Sequence, residues 1–192
     1  MVAPLDRHLD VRAAVLVEGF SDRAALEVLA ERRGRDLRAE GVTVLAMGGA
    51  TEIRRFVGLL GAPDADVALA GLCDEAEWGY FSRALEHGGV DAGGFFVCHA
   101  DLEDELIRAL GPAHVVEVIE AEGELRSWLR FGKQPAQRGR TVEERLHRFM
   151  GTRSGRKAQY AAALTRALDL DRVPEPLDGV LEFTAGWVSS AG

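Results

Sequence analysis

Glu18 and Asp22 stand four residues apart on a bend that directly follows an apolar run, Ala13-Ala14-Val15-Leu16-Val17. Gly19 permits a tight turn between them, so both carboxylates can point into one small volume. Two carboxylates held together repel each other, and such a pair suits a hard divalent cation that takes oxygen ligands. The pattern recurs twice. Leu69-Ala70-Gly71-Leu72-Cys73 runs into Asp74, and Phe95-Phe96-Val97-Cys98 runs into His99-Ala100-Asp101-Leu102-Glu103. Glu18, Asp22 and Asp74 form the principal candidate metal set, enough for an ion that keeps several of its waters. Glu103 projects near a helix start beside an inward-facing Leu102. Taken singly, each acid can also be read as a cap for the helix that follows it. Three coincident positions after apolar runs favour the cation.

Two further groups suit anionic chemistry. Gly48 and Gly49, within Ala46-Met47-Gly48-Gly49-Ala50-Thr51, form a turn that opens a helix, and backbone N–H groups in such turns can approach a phosphate. Glycine is also common in strand-to-helix turns for steric reasons alone. Lys157 falls in the first turn of a helix, where the dipole disfavours a cation, and its presence there argues for a use. Cys73 and Cys98 read as reduced, buried small side chains. With His99 they lack the paired spacing of a zinc site. His8, His87, His114 and His147 have no partners that spacing identifies and read as surface or core histidines. The sequence contains no P-loop and no G-x-S-x-G motif.

These residues need a scaffold that brings separate chain segments to one edge. Short runs rich in Val, Leu, Ile and Phe predict strands over 13–17, 42–46, 66–72, 94–98 and 114–119. Helical patterns lie near 22–33, 51–60 and 76–86, and a further helix begins after Asp101, a good N-cap. Strand–helix alternation with short links predicts a parallel sheet. In such a sheet chemistry gathers beyond the carboxyl ends of the strands, where the acids fall. After residue 120 the pattern is helical and basic. Thr141-Val142-Glu143-Glu144 is a capping box, Ser154 caps a helix reaching about Leu168, and Pro174 and Pro176 precede a last helix. The tail from Ser189 to Gly192 reads as frayed.

A length of 192 residues suits one domain with an appended subdomain, and 47% hydrophobic residues suffice for a sizeable core. No apolar run approaches 18 residues, so no transmembrane helix and no membrane partner are expected. The N-terminus lacks the basic-then-apolar order of a signal peptide. With two unpaired cysteines, these features predict a cytoplasmic protein. The net charge of −8 by itself disfavours a nucleic-acid partner, but its distribution reverses that reading. Ten Lys and Arg residues lie between Arg126 and Lys157, opposed only by Glu143 and Glu144. A chain with an acidic centre and a separate basic stretch can hold a cation with one and a phosphate backbone with the other. Arg153 and Arg156 are the candidate nucleic-acid contacts. The alternative is a solvated helical face.

The run Val15-Leu16-Val17-Glu18-Gly19-Phe20-Ser21-Asp22, then Gly48-Gly49, then the strand ending at Asp74, resembles the topoisomerase–primase (TOPRIM) domain. The Asp101-Leu102-Glu103 turn and the late Lys157 resemble the TOPRIM domain of the OLD (overcoming lysogenization defect) nucleases. The resemblance implies an α/β, Rossmann-like TOPRIM core with a mainly parallel sheet over 11–120 and a basic helical extension over 121–183 packed on it. It implies cleavage of DNA phosphodiesters with one or two Mg²⁺ or Mn²⁺ ions. By position, Glu18 matches the family's strand-end glutamate, Asp22 the acid after it, and Asp74 the first acid of a D-x-D motif. Glu103 matches an acid serving the second ion, and Lys157 a lysine that stabilises the scissile phosphate. Two departures matter. The D-x-D slot reads Asp74-Glu75-Ala76, leaving Glu75 or Glu77 as the only nearby substitutes. OLD nucleases also carry an ATPase domain ahead of the TOPRIM domain, which implies here a stand-alone protein or a separately encoded ATPase partner. Two other functions stay open: a catalytically weak module that binds nucleic acid or a partner ATPase, and nucleotidyl transfer or phosphohydrolysis on a smaller substrate.

Overall fold

A computed structural model describes residues 11–62, 65–153 and 155–190. Four strands are present among them: β1 (Ala13–Val17), β2 (Val42–Ala46), β3 (Ala68–Asp74) and β4 (Phe95–Cys98). They form one all-parallel sheet in the order β2-β1-β3-β4. The α-helices are α1 (Phe20–Arg32), α2 (Ile53–Leu60), α3 (Trp78–Gly88), α4 (Leu102–Leu110), α5 (Pro112–Ala121), α6 (Leu125–Gly132), α7 (Val142–Met150), α8 (Arg156–Ala167) and α9 (Glu175–Ser190). The fold is α/β, as the alternation of apolar runs and helical patterns predicts.

The strand order has a functional consequence. From β1 the chain crosses through α1 to β2 on one side, then through α2 to β3 on the other. The direction of winding therefore reverses between β1 and β3, which places a crevice beyond their carboxyl ends. Every residue of β1 is buried, and alternate residues feed two cores. Ala13, Val15 and Val17 pack with α1, α4, α8 and α9 on one face. Ala14 and Leu16 pack with Ile53 and Val57 of α2 and Phe81 and Leu85 of α3 on the other. Gly179 lets α9 lie directly on the sheet, since a Cβ there would come within 2.2 Å of the Phe96 ring.

The helices after residue 120 belong to the same core as the sheet. Leu146, Phe149, Tyr160, Leu164 and Val180 join the cluster that holds Val15 and Leu72. Trp128, Phe131, Phe149 and Tyr160 form a chain of ring contacts with centroids 5.5–6.3 Å apart.

One expected strand is a helix. Residues 114–119 lie inside α5, which opens with Gly111 at φ +77 and Pro112 in its first turn. Its buried residues are Val115, Val118 and Ile119, a spacing of three and four. The run His114-Val115-Val116-Glu117-Val118-Ile119 satisfies a strand by composition, but burial follows the helical period. The expected capping box does form: Thr141 Oγ1 accepts from the Glu144 N–H at 3.2 Å and Glu144 Oε2 accepts from the Thr141 N–H at 2.9 Å. Ser154 and the last two residues of the tail lie outside the described residues, as do His8 and the rest of the N-terminal ten.

Candidate metal and phosphate site

Glu18 follows β1, and Asp74 ends β3, its neighbour in the sheet. The two are tied directly, because Glu18 Oε1 accepts from the Asp74 N–H at 3.3 Å. Asp22 sits in the first turn of α1 and is buried, its Oδ2 accepting from the Gly19 N–H at 2.8 Å. Asp101 caps α4, taking the Asp104 N–H at 2.9 Å on Oδ1. Glu103, in the first turn of the same helix, is 3% exposed. Its Oε2 accepts from Lys157 Nζ of α8 at 3.1 Å, while its Oε1 is buried without a hydrogen-bond partner.

The charges of these acids act on one another. Burial pushes the Asp22 carboxyl up to about 6; the Gly19 N–H opposes this, and Glu103 and Glu18 add to it. Asp74 rises to about 7, first by burial and then by the charges of Glu18, Asp22, Asp101 and Glu103. Glu18 is also raised by burial, restrained by the Asp74 N–H and pushed further by Glu77. A cation in their midst would relieve both the desolvation and the repulsion. Asp101 behaves differently. Burial acts to raise it, but the hydrogen bonds from His147 and the Asp104 N–H hold it below its ordinary value. Lys157 is disfavoured by burial, yet the Glu103 carboxylate beside it raises it overall.

His147 of α7 lies with its Nε2 2.5 Å from Asp101 Oδ2. Asp101, Glu103 and His147 each offer a ligand atom, and those atoms all lie within 4.8 Å of one another. Among the described residues this is the trio that meets so tightly. Glu18, Asp22 and Asp74, the principal set expected from the sequence, do not form such a trio among the described residues. Sequence reasoning missed His147 because its partner is 46 residues away. The only local signal is its place beside Leu146 and three residues before Met150, both buried on the inner face of α7.

Several expected contacts are not where the sequence suggested. The Gly48 and Gly49 N–H groups, expected to approach a phosphate, donate to the Glu18 carbonyl at 3.0 and 3.1 Å and so anchor the β1 end. Both glycines hold positive φ, +88 and +136, which this turn requires. Arg156, expected at a nucleic-acid surface, is instead 5% exposed with its guanidinium turned to protein partners. Its guanidinium bonds Glu124 Oε1 at 2.6 Å, Thr152 Oγ1 and the Phe149 carbonyl, and lies 4.3 Å from the centre of the Phe149 ring. Arg153 keeps a side chain 70% exposed, 3.7 Å from Glu124. Glu75 turns away from Asp74 toward His99 Nδ1 at 3.2 Å and the Ala100 N–H at 3.3 Å. The two cysteines are free and buried, and burial raises Cys73 to about 12.

The donor set of clustered carboxylates, together with the unpartnered Glu103 oxygen, fits a hard divalent cation. Residues 11–74 match the family model described as the overcoming lysogenization defect protein-like TOPRIM domain. Among solved structures, the fold is similar to the C-terminal region of the Burkholderia pseudomallei OLD protein, with a TM-score of 0.70 and 23% identity over 93% of this chain and 98% of that one. It is also similar to the C-terminal region of the Xanthomonas campestris pv. campestris OLD protein, with a TM-score of 0.68 and 25% identity over 94% and 97%. No match is found among curated proteins. No described helix is long and apolar enough to cross a membrane.

Proposed function

We propose that this chain, whose residues 11–74 match the OLD-like TOPRIM domain model, does nucleic-acid chemistry and cleaves DNA phosphodiesters with bound Mg²⁺ or Mn²⁺. What supports this reading is that the charges of Glu18, Asp22 and Glu103 act on Asp74 beside the winding switch of the sheet, and that one buried Glu103 oxygen lacks a partner. Glu18, Asp22 and Asp74 would hold one ion, and Glu103 would help hold a second. Bound there, the ions supply an activated water and charge stabilisation of the leaving oxygen.

The protein's own groups do the rest. Burial of Asp22 and Glu103 keeps their carboxylates fixed, so little reorganisation is needed on loading. Lys157 has half its side chain exposed and one partner, Glu103. With the Glu103 charge shared with an ion, the Lys157 ammonium would be free to neutralise charge on a phosphate. The core over 11–120 thus supplies the ligands. The extension over 121–183 supplies Lys157, His147 and a basic approach that includes Arg153.

The test is incubation of the pure protein with plasmid and oligonucleotides in Mn²⁺, Mg²⁺ or chelator, beside Glu18→Gln. Metal-dependent cutting by wild type and none by Glu18→Gln is the expected result. Binding without cutting under every condition would favour the second reading, a catalytically weak module that holds nucleic acid or a separately encoded ATPase. Ala76 favours that second reading, because it puts a methyl group where an acid is expected and Glu75 points elsewhere.

A further inference from the structure

A groove of 310 Å³ runs between α2 and α3 and is lined by Thr51, Ile53, Arg54, Tyr80, Arg83 and His87, with Ala84 at its floor. Its chemistry is unlike that of the acidic crevice. Arg54 and Arg83 are exposed, and no carboxylate pairs with either among the described residues. The acid nearest in the chain to Arg54, Glu52, is engaged by Arg55 at 3.5 Å. The Tyr80 ring is 45% exposed, and the Arg83 guanidinium carbon lies 5.5 Å from its centre. An unpaired cation pair beside an exposed aromatic ring, on a chain of net charge −8, calls for an anionic ligand with a flat apolar face.

The location selects the ligand. Thr51 stands two residues after Gly49, whose N–H holds the Glu18 carbonyl, and Tyr80 six residues after Asp74. The groove therefore starts at the same sheet edge as the acids. It lies on the α2/α3 face, whereas Lys157 and Arg153 approach from the α7/α8 face. A chain of phosphates crossing the acidic edge would find cations on both sides.

We propose that the α2–α3 groove binds an unpaired nucleic-acid strand on the far side of the scissile position, with phosphates at Arg54 and Arg83 and a base stacked on Tyr80. Stacking on one ring is indifferent to base identity, so the groove fixes the strand and not its sequence. The inference rests on the nucleic-acid reading above.

Fluorescence anisotropy with a labelled single-stranded oligonucleotide, in chelator and across a salt series, tests it. The variants are Arg54→Ala/Arg83→Ala, Tyr80→Ala and Tyr80→Phe. The control is Arg38→Ala/Arg172→Ala, which removes the same charge from exposed positions elsewhere. The arginine pair should lower the slope of log affinity against log salt by about 1.4, at roughly 0.7 per phosphate lost from a single strand. Tyr80→Ala should weaken binding about tenfold with the slope kept, and Tyr80→Phe should retain it. The control should leave the slope as in wild type. Wild-type binding with slopes and affinities unmoved by the groove variants overturns the groove alone. Loss of binding in the variants, with a wild type that binds but never cuts, keeps the groove and overturns cleavage. A wild type that binds no nucleic acid overturns both.

Discussion

His147 Nε2 and Asp101 Oδ2 meet at 2.5 Å across 46 residues of sequence, joining α7 of the basic segment to the cap of α4. With Lys157 on Glu103, this contact closes the acidic crevice on one side. Both partners shift accordingly. Asp101 is held low despite its burial, and His147 is raised, chiefly by its hydrogen bond to Asp101 and against its own burial. Asp101 and Glu103 are thus each held by a side chain from the helical segment, His147 and Lys157.

Glu103 is the acid whose removal should be most selective. Glu103→Gln keeps the shape but removes the charge. Isothermal titration with Mn²⁺ should show the weaker of two binding events lost and the tighter one kept. Loss of both events together would mean that a single ion spans the whole cluster.

Ala76 defines the second prediction. Glu77 is close enough for its charge to act on Glu18, but Glu75 is drawn to His99. Metal titration of Ala76→Asp beside wild type should show the weaker site tightened and any cleavage raised. Two tight ions in wild type, with no gain from the substitution, would show the site built around other ligands.

Stability of the metal-free protein should fall as pH rises. Asp22 and Asp74 have folded-state values near 6 and 7 against 3.8 for ordinary aspartate. A raised folded value means the folded state binds more protons, so their contribution is fully present below about pH 4 and is lost as pH rises through 6 and 7. Thermal melts between pH 5 and 8 in chelator should show the decline. Added Mn²⁺ should restore the melting temperature more at pH 8 than at pH 5, because it binds the ionised carboxylates. A rescue of equal size at both values would contradict the raised pair.

Lys157 should matter to turnover more than to binding. Lys157→Ala is expected to lower kcat by about 10² or more, the size of one lost stabilising group in a transition state, with a smaller change in KM. Equal losses in kcat/KM and in DNA affinity would remove it from the chemical step.

Arg156 and Arg153 should separate cleanly, although they are neighbours in sequence. Arg156→Ala takes from Glu124 its shortest partner, leaving Tyr160 and Arg153, and strips a buried side chain from the Phe149 ring; it should cost about 2 kcal/mol in urea unfolding. Arg153→Ala should leave stability within about 0.5 kcal/mol and weaken DNA binding with a flatter salt dependence. A stability loss from Arg153→Ala as large as that from Arg156→Ala would show that exposure does not distinguish them.

Much of this molecule is legible in the sequence because its signals are local. Each of the four strands that form is a short apolar run ending at a turn, and strand–helix alternation dictates a parallel sheet. Glu18, Asp74 and the Asp101 turn follow from position after those runs, since strand ends in such a sheet share an edge. The Thr141–Glu144 capping box is a four-residue signal and forms as read. Tertiary structure decided what depends on distant neighbours. Residues 114–119 have a strand's composition, but no sheet edge receives them, and the helical spacing of Val115, Val118 and Ile119 against the core prevails. Arg156 and Arg153 carry the same charge in the same basic run. Only the fold sets Phe149 and Glu124 against one and solvent against the other. The His147–Asp101 contact has no local signature, because burial and hydrogen bonding of a side chain are properties of the packed neighbourhood and not of the segment that carries it.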